Sequence, residues 1–230
     1  MKTIGLLGGM SFESTIPYYK IINEEINKAL GGLHSAKIIL YSVDFAEIEE
    51  CQKTDNWQKS AQILSGAAKN LEDAGADCIV LCTNTMHKVA DEIQNAIDIP
   101  LLHIAQTCAE ELKKNSIKKA ALAGTKYTMQ QDFYKKELAK NGIEVLIPED
   151  NDIEIINNII FQELCKGKFL KESKKEFIRI INSLVENGAE GIIFGCTEIG
   201  LLLNQDDLSI KVFDTTAIHA KKAAEFALQK

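Results

Sequence analysis

The stretch GAEGIIFGCTEIG, residues 188–200, contains an apolar run that ends next to Cys196, at the start of a polar turn. A short apolar run bounded by turn residues is typical of a strand buried on both faces of a parallel sheet. A similar stretch, GADCIVLCTNTMH, occupies residues 75–87, and the two align without a gap at an offset of 188 − 75 = 113 residues. This register places Thr83 opposite Cys196. The chain is therefore predicted to contain two copies of one unit, each with a thiol or hydroxyl side chain at the end of a buried strand.

Strands and helices alternate along both halves of the sequence. The opening KTIGLLGG, residues 2–9, has a counterpart in KKAALAGT, residues 118–125, and a helical pattern follows each of them. Short apolar strands that alternate with amphipathic helices favour a parallel sheet covered on both faces. We predict an α/β fold of two similar lobes, each a parallel sheet flanked by helices. The internal repeat relates the lobes, and the functional site is expected in the cleft between them.

The predicted lobe boundaries depend on where two short strands pack. Residues 101–104 form a predicted strand that either closes the first lobe or crosses to the second. The last predicted strand, residues 211–213, is expected to pack back on the first lobe and to make that lobe discontinuous. We therefore assign residues 1–100 plus 211–230 to the first lobe and residues 101–210 to the second.

The composition argues against several classes of partner. The 230 residues carry 26 basic and 33 acidic side chains, and the net charge of −7 repels both nucleic acid and anionic membranes. The apolar runs are far shorter than the roughly 20 residues that a membrane-spanning helix needs. Six cysteines without close CxxC pairs indicate free thiols in a reducing compartment. We expect a cytoplasmic protein that binds no metal.

Candidate site residues collect at the predicted carboxyl ends of the strands, where open parallel sheets bind their ligands. Met10 follows the first strand, Thr83, Asn84 and Thr85 follow the third, and Thr197 follows its counterpart. Backbone N–H groups at the helix N-termini there favour a bound carboxylate, although the same side chains could serve only as helix caps. The GLLGGM turn fits neither the dinucleotide fingerprint nor the Walker motif, so neither NAD nor ATP is predicted as a cofactor.

Two interpretations of Cys196 remain open on the pattern alone. A thiol at a helix N-terminus has a lowered pKa, which suits a group that removes a weakly acidic proton near neutral pH. The other interpretation is a small buried thiol that packs next to Gly195. Cys82, one residue before Thr83, points to the opposite face of the strand and is predicted to be a core thiol.

Three motifs carry a resemblance to a known family. They are Gly8-Gly9-Met10-Ser11, Cys82-Thr83-Asn84-Thr85-Met86-His87 and Gly195-Cys196-Thr197-Glu198-Ile199-Gly200. In this order they resemble the aspartate/glutamate racemase family over nearly the whole chain. The resemblance implies cofactor-independent racemisation by two thiols on opposite faces of the α-carbon of the substrate. Thr83 stands where the family has its first cysteine. This replacement resembles the broad-specificity branch of the family.

The resemblance implies an amino-acid racemase that acts on aspartate, glutamate or a broader set. Cys196 would act on one face of the α-carbon, and Thr83 would be its hydroxyl partner on the other. The residues expected to hold the substrate are Met10, Gln52, Asn84, Thr85 and Thr197. The alternatives are an isomerase or decarboxylase of small diacids that uses the same cleft, and a carboxylate-binding protein with little turnover. A homodimer is compatible with paired α/β lobes of this size.

Overall fold

The computed structural model describes residues 1–229, which form two compact units. The first unit comprises Met1–His103 together with the segment from His219 onward, and the second comprises Ile104–Ile218. Within residues 1–229, no helix is long and apolar enough to cross a membrane.

The first unit is a four-stranded parallel sheet with helices on both faces. Its strands, in the spatial order β2-β1-β3-β4, are β1 (Thr3–Gly8), β2 (Lys37–Ser42), β3 (Cys78–Leu81) and β4 (Leu101–Leu102). Its helices are α1 (Phe12–Leu30), α2 (Phe45–Lys53), α3 (Trp57–Asp73) and α4 (Ala90–Asn95), with a 3₁₀ helix at Thr85–Val89.

The second unit repeats this topology. Its strands, in the order β6-β5-β7-β8, are β5 (Lys119–Gly124), β6 (Glu144–Leu146), β7 (Gly191–Gly195) and β8 (Lys211–Asp214). Its helices are α5 (Ile104–Lys114), α6 (Lys126–Gln130), α7 (Asp132–Lys140), α8 (Asp150–Gln162), α9 (Lys171–Glu186) and α10 (Ile199–Leu202), with 3₁₀ helices at Leu164–Lys166 and Gln205–Asp207. The last helix, α11 (Thr215–Leu228), begins in the second unit and ends in the first.

The strand register confirms the predicted repeat. Leu7 of β1 pairs with Leu81 of β3, and Ala123 of β5 pairs with Phe194 of β7. Leu81 and Phe194 are 113 residues apart, the offset found in the sequence. The predicted fold class, two similar α/β units with flanked parallel sheets, is therefore confirmed.

The observed units differ from the predicted lobe boundaries at both ends of the second unit. Residues 101–210 were assigned to the second lobe, but β4 pairs in parallel with β3 of the first sheet. Residues 211–230 were assigned to the first lobe, but β8 pairs with β7 of the second sheet. In each sheet the fourth strand covers the outer edge of the third, which would otherwise leave its backbone N–H and C=O groups unpaired. The chain therefore leaves the first unit after β4 and returns after β8.

The third strand of the first unit divides its side chains between two cores. Ile79 and Leu81 pack with the apolar faces of α2 and α3. Cys78, Val80 and Cys82 point to the opposite face, where α1 and α11 cover them. Two-residue alternation along β3 causes this division. It places Cys82 in the core, as predicted, and leaves the residues after it to form the carboxyl edge of the sheet.

Candidate active site

In the first unit, the side chain of Met10 is buried in the turn that follows β1. Thr15 of α1 fastens this turn, because its Oγ1 accepts a hydrogen bond from the N–H of Gly9 at 2.9 Å and donates one to the carbonyl oxygen of Ser11 at 2.8 Å. Gly8 has no room for a side chain, since an added Cβ would lie 2.4 Å from the Cγ2 of Thr15. The glycine turn therefore fits tightly against α1, and Met10 is 4% exposed.

The segment after β3 contributes Thr83, Asn84 and Thr85, and all three are buried. The N–H of Thr83 donates to the carbonyl oxygen of Leu81 at 2.9 Å, which bends the chain sharply after the strand. The carbonyl oxygen of Thr83 in turn accepts a hydrogen bond from Nδ1 of His87 at 2.7 Å. Two hydrogen bonds thus fix the backbone that carries the Thr83 hydroxyl.

Gln52 lies in α2 and reaches the segment that follows β3. Its side chain is 5% exposed, and its Nε2 donates to the sulfur of Met86 at 3.1 Å. The five predicted site residues of the first unit therefore lie on three segments: the turn after β1, the end of α2 and the turn after β3. The first and last of these follow parallel strands and lie at the carboxyl edge of one sheet.

Three histidines and a tyrosine of the first unit form a cluster in which His87, His219 and Tyr18 are buried and His103 is half-buried. The ring of His87 lies 4.6 Å from that of His103 and 6.0 Å from that of His219, centroid to centroid. Nε2 of His219 lies 2.7 Å from the carbonyl oxygen of Leu102, and its Nδ1 lies 3.0 Å from the hydroxyl of Tyr18. Because a carbonyl oxygen only accepts, Nε2 carries the proton and Nδ1 accepts the Tyr18 hydroxyl.

Burial holds two of these histidines, His87 and His219, in the neutral form. Burial lowers the pKa of His219 to about 4. Burial, together with the neighbouring histidines His103 and His219, also holds the pKa of His87 well below its usual value. The imidazoles of His87 and His219 are therefore neutral at pH 7. The sequence pattern showed no partner for His103 or His219.

In the second unit, Cys196 follows β7 directly and faces a buried carboxylate. Its Sγ donates a hydrogen bond to Oε2 of Glu198 at 3.0 Å, and the hydroxyl of Thr197 donates to the same oxygen at 2.9 Å. The other oxygen, Oε1, accepts from Sγ of Cys165 at 3.7 Å. Cys196, Thr197 and Glu198 are 6%, 4% and 2% exposed, so solvent screens these contacts little.

Of the two interpretations of Cys196 that the sequence leaves open, the environment of the thiol does not support the lowered pKa. Burial and, next, the charge of Glu198 hold that pKa well above its ordinary value. The helix that follows, α10, is four residues long and supplies too few aligned peptide dipoles to offset these effects. At neutral pH Cys196 is therefore a thiol.

The other strand-end cysteine, Cys82, has the environment of a core residue. Its Sγ donates to the carbonyl oxygen of Val80 at 3.5 Å, and burial raises its pKa far above neutral. In the equivalent register position of the second unit stands Gly195, where an added Cβ would lie 2.5 Å from Cδ1 of Leu122 and 3.2 Å from the backbone oxygen of Ala123. The hydroxyl of Thr83 and the thiol of Cys196 are thus the corresponding side chains that follow the two third strands.

The structure places all seven predicted site residues in buried positions: Met10, Gln52, Thr83, Asn84 and Thr85 in the first unit, and Cys196 and Thr197 in the second. The sequence pattern predicts no role for Glu198 or Cys165. A signal for Glu198 was present, since a carboxylate two residues after a candidate base is able to exchange a proton with it. Within residues 1–229, no group of three or more His, Cys, Asp or Glu side chains is arranged to hold a metal ion.

Comparison with known proteins places these features in a family. Residues 7–223 match the family model described as Asp/Glu/Hydantoin racemase. The chain is 29% identical to the broad-specificity amino-acid racemase RacX of Bacillus subtilis over 221 residues, which cover 95% of each chain.

Two solved structures are similar over the full length of both chains. A candidate Asp/Glu racemase from Yersinia pestis has 57% identity and a TM-score of 0.92, with 100% of each chain covered. An aspartate racemase homologue from Pyrococcus horikoshii has 41% identity and a TM-score of 0.85, again with 100% of each covered. The protein therefore belongs to the Asp/Glu/hydantoin racemase family, and these similarities identify it as an amino-acid racemase.

Proposed function

We propose that this racemase exchanges the α-proton of a bound amino acid without a cofactor, with Cys196 acting on one face of the α-carbon and Thr83 on the other. The observation that carries the proposal is the equivalence of the two positions. Thr83 lies just beyond β3 and Cys196 just beyond β7, the third strand of each sheet. In both units the third strand pairs in parallel with the first strand, in the same register. Two chemically reactive side chains at matching places of a duplicated fold suit a reaction with two matching faces.

The proton at the α-carbon is weakly acidic, so its removal needs a positioned base. Cys196 in its thiolate form takes it, so that an S–H bond forms as the C–H bond breaks, and the electron pair remains on the substrate, delocalised into its carboxylate. Return of a proton from the same face restores the original enantiomer. Donation from the hydroxyl of Thr83 on the opposite face gives the mirror image, and the oxygen left by the broken O–H bond takes up a proton from solvent. An alcohol is a far weaker acid than a thiol, so the two directions should differ in rate.

We propose that the substrates are aspartate, glutamate or a broader set of amino acids. Support comes from the relatives, one of which is described as a broad-specificity amino-acid racemase and another as an aspartate racemase homologue. The sole arginine of the sequence, Arg179, is about half exposed and forms an ion pair with Asp152, 2.6 Å apart. It is therefore committed to a surface contact of the second unit, which argues against an arginine clamp for a side-chain carboxylate and favours the broader set. Met10, Gln52, Asn84, Thr85 and Thr197 would bind groups common to all amino acids.

The direct test is proton NMR of candidate amino acids with the enzyme in D2O. We expect loss of the α-proton signal and, by chiral chromatography, formation of the opposite enantiomer for at least one substrate. Both enantiomers of aspartate, glutamate, a neutral and a basic amino acid make up the panel. Calorimetric binding with an unchanged α-proton signal would instead favour a carboxylate-binding protein, and new decarboxylated products from small diacids would favour the decarboxylase alternative.

We further propose that the enzyme is a cytoplasmic homodimer. All six cysteines are free thiols, which fits a reducing compartment.

On α1, Phe12, Ile16 and Tyr19 are 60%, 61% and 57% exposed and form an apolar stripe at helical spacing. Antiparallel pairing of this helix with its copy, centred after Ile16, would set Glu13 opposite Lys20 of the second copy. Light scattering should give a dimer mass, and Ile16→Glu should give a monomer; a monomeric wild-type protein would contradict the proposal.

A further inference from the structure

The carbonyl oxygen of Thr83 accepts a hydrogen bond from a buried imidazole. Nδ1 of His87 lies 2.7 Å from that oxygen. Because a carbonyl oxygen only accepts, Nδ1 carries a ring proton and donates it. Both residues are buried, so water has little access to compete for this contact. A side chain of the first unit thus holds the backbone of the residue that is proposed to act on one face of the α-carbon.

The internal repeat has no counterpart of this imidazole. At the offset of 113 residues, Thr83 corresponds to Cys196. His87 corresponds in the same way to Gly200, which has no side chain. In the second unit the carbonyl oxygen of Cys196 accepts instead from the backbone N–H of Ile199 at 3.1 Å. The histidine therefore belongs to the half of the duplicated fold that presents a hydroxyl, and the fold as such does not require it.

The imidazole is itself held in one orientation. The rings of His103 and His219 contact it edge to face, with centroids 4.6 Å and 6.0 Å away. His219 is anchored in turn to the carbonyl oxygen of Leu102 and the hydroxyl of Tyr18. Burial, and next the neighbouring histidines, lower the pKa of His87 well below its usual value. The ring is therefore neutral at pH 7 and presents the same donor to Thr83 throughout the neutral range.

We propose that His87 is a positioning residue for the Thr83 face of the reaction, and that its Nδ1–H fixes the turn after β3 so that the threonine hydroxyl reaches the α-carbon. This inference rests on the function proposed above. A single side-chain torsion separates a threonine hydroxyl from the backbone, so the place of the hydroxyl follows from the backbone of residue 83. A displacement of about 1 Å at a reacting group can lower a rate about 100-fold. His87 acts through Thr83 and takes no proton from the substrate.

This role affects one face of the reaction, whereas a general loss of packing would affect both. Exchange of the α-proton without inversion uses only Cys196, because the proton leaves and returns on the same face. Inversion also needs the hydroxyl of Thr83. Loss of the imidazole donor should therefore slow inversion and leave exchange almost unchanged. The ratio of inversion to exchange is the informative quantity, because it does not depend on how much of the protein is folded.

The test compares His87→Leu, which removes the donor, with His87→Asn, whose amide nitrogen can take the place of Nδ1. In D2O, proton NMR measures exchange and chiral chromatography measures inversion, with the amino acid on which the wild type is most active. We expect His87→Leu to lower the ratio of inversion to exchange about 100-fold and His87→Asn to restore most of it. Tyr18→Phe is the matched control, because it removes a buried hydrogen bond of the same cluster, to His219, and should keep the wild-type ratio.

Two results would overturn the proposal. One is a wild-type ratio in His87→Leu. The other is an equal fall of the ratio in Tyr18→Phe, since a loosened core would then explain both. If circular dichroism shows that His87→Leu does not fold, His87→Gln replaces it, because a glutamine amide reaches the position of Nε2 and not that of Nδ1. A ratio in His87→Gln equal to that in His87→Asn would then refute the role of the Nδ1 donor.

Failure of the proposed function gives a different result. Absence of racemisation by the wild type would refute that function, whichever residue stands at position 87. Long-range ¹⁵N NMR of the histidine rings needs no substrate and locates the proton of His87, with His87→Asn providing the assignment. We expect the proton on Nδ1; a neutral ring with its proton on Nε2 would refute this inference alone.

Discussion

Replacement of His219 by glutamine should make the stability of the protein less sensitive to mild acid. In the folded protein His219 is fully buried, its Nδ1 accepts the hydroxyl of Tyr18, and its Nε2 donates to the carbonyl oxygen of Leu102. A second proton on the ring would displace the Tyr18 hydrogen bond and bury a charge. The pKa accordingly falls from 6.5 to about 4 on folding.

The sign and size of the effect follow from this shift. Above pH 6.5 the ring is neutral in both states, so its contribution is constant. As the pH falls from 6.5 towards 4, the unfolded chain binds a proton that the folded protein excludes, and stability is lost. A pKa shift of this size lowers the free energy of unfolding by about 3 kcal/mol over the whole pH range in which the ring titrates. About 2 kcal/mol of this is lost between pH 7.5 and pH 5.0.

The assay is urea unfolding followed by circular dichroism at pH 7.5 and pH 5.0, for the wild type, His219→Gln and the exposed-residue control His34→Gln. Other groups, His87 among them, titrate in all three proteins, so the informative quantity is the difference between variants. We expect the wild type and His34→Gln to lose about 2 kcal/mol more than His219→Gln on acidification. Equal losses in the wild type and His219→Gln would refute the account of this cluster.

Two further predictions concern the partner hydroxyl and the packing of the second sheet. Thr83→Cys should make deuterium exchange from the two enantiomers more nearly equal, because a thiol replaces a much weaker acid; an unaltered ratio of the two rates would count against the pairing of Thr83 with Cys196. Gly124→Ala should destabilise the protein by about 1–3 kcal/mol, because the added Cβ would lie 2.7 Å from the backbone oxygen of Gly195. The control is Gly66→Ala, in an exposed part of α3 with no atom within 4 Å of the added Cβ, and it should stabilise the protein by about 1 kcal/mol. Thermal unfolding measures both variants, and similar effects in the two would contradict the packing argument.

The fold could be predicted because its decisive signals are local. The apolar runs of β3 and β7 and the glycine turns after β1 and β5 are visible in single segments, and their repetition indicates the duplicated unit. The lobe boundaries could not be predicted in the same way. β4 is two residues long, and the partner of β8 is set by hydrogen bonds to β7, which no local pattern encodes.

The site was predictable as a set of positions but not as a set of contacts. Strand ends point to Thr83 and Cys196, yet the direction of the Cys196 pKa shift depends on burial and on the carboxylate of Glu198, which outweigh the short helix after it. The histidine cluster escaped detection for a different reason. His219 contacts Leu102 and Tyr18, which are 117 and 201 residues away in sequence, so no spacing rule connects them.

The central claim is that the sulfur of Cys196 removes the α-proton. The measurement that tests it most directly is α-deuterium incorporation into an amino-acid substrate in D2O by Cys196→Ser, beside wild type and Cys108→Ser. Cys108 is also a buried thiol of the second unit, so its variant controls for the loss of a core sulfur. We predict exchange by the wild type and Cys108→Ser and none by Cys196→Ser; exchange by Cys196→Ser at the wild-type rate would contradict the account.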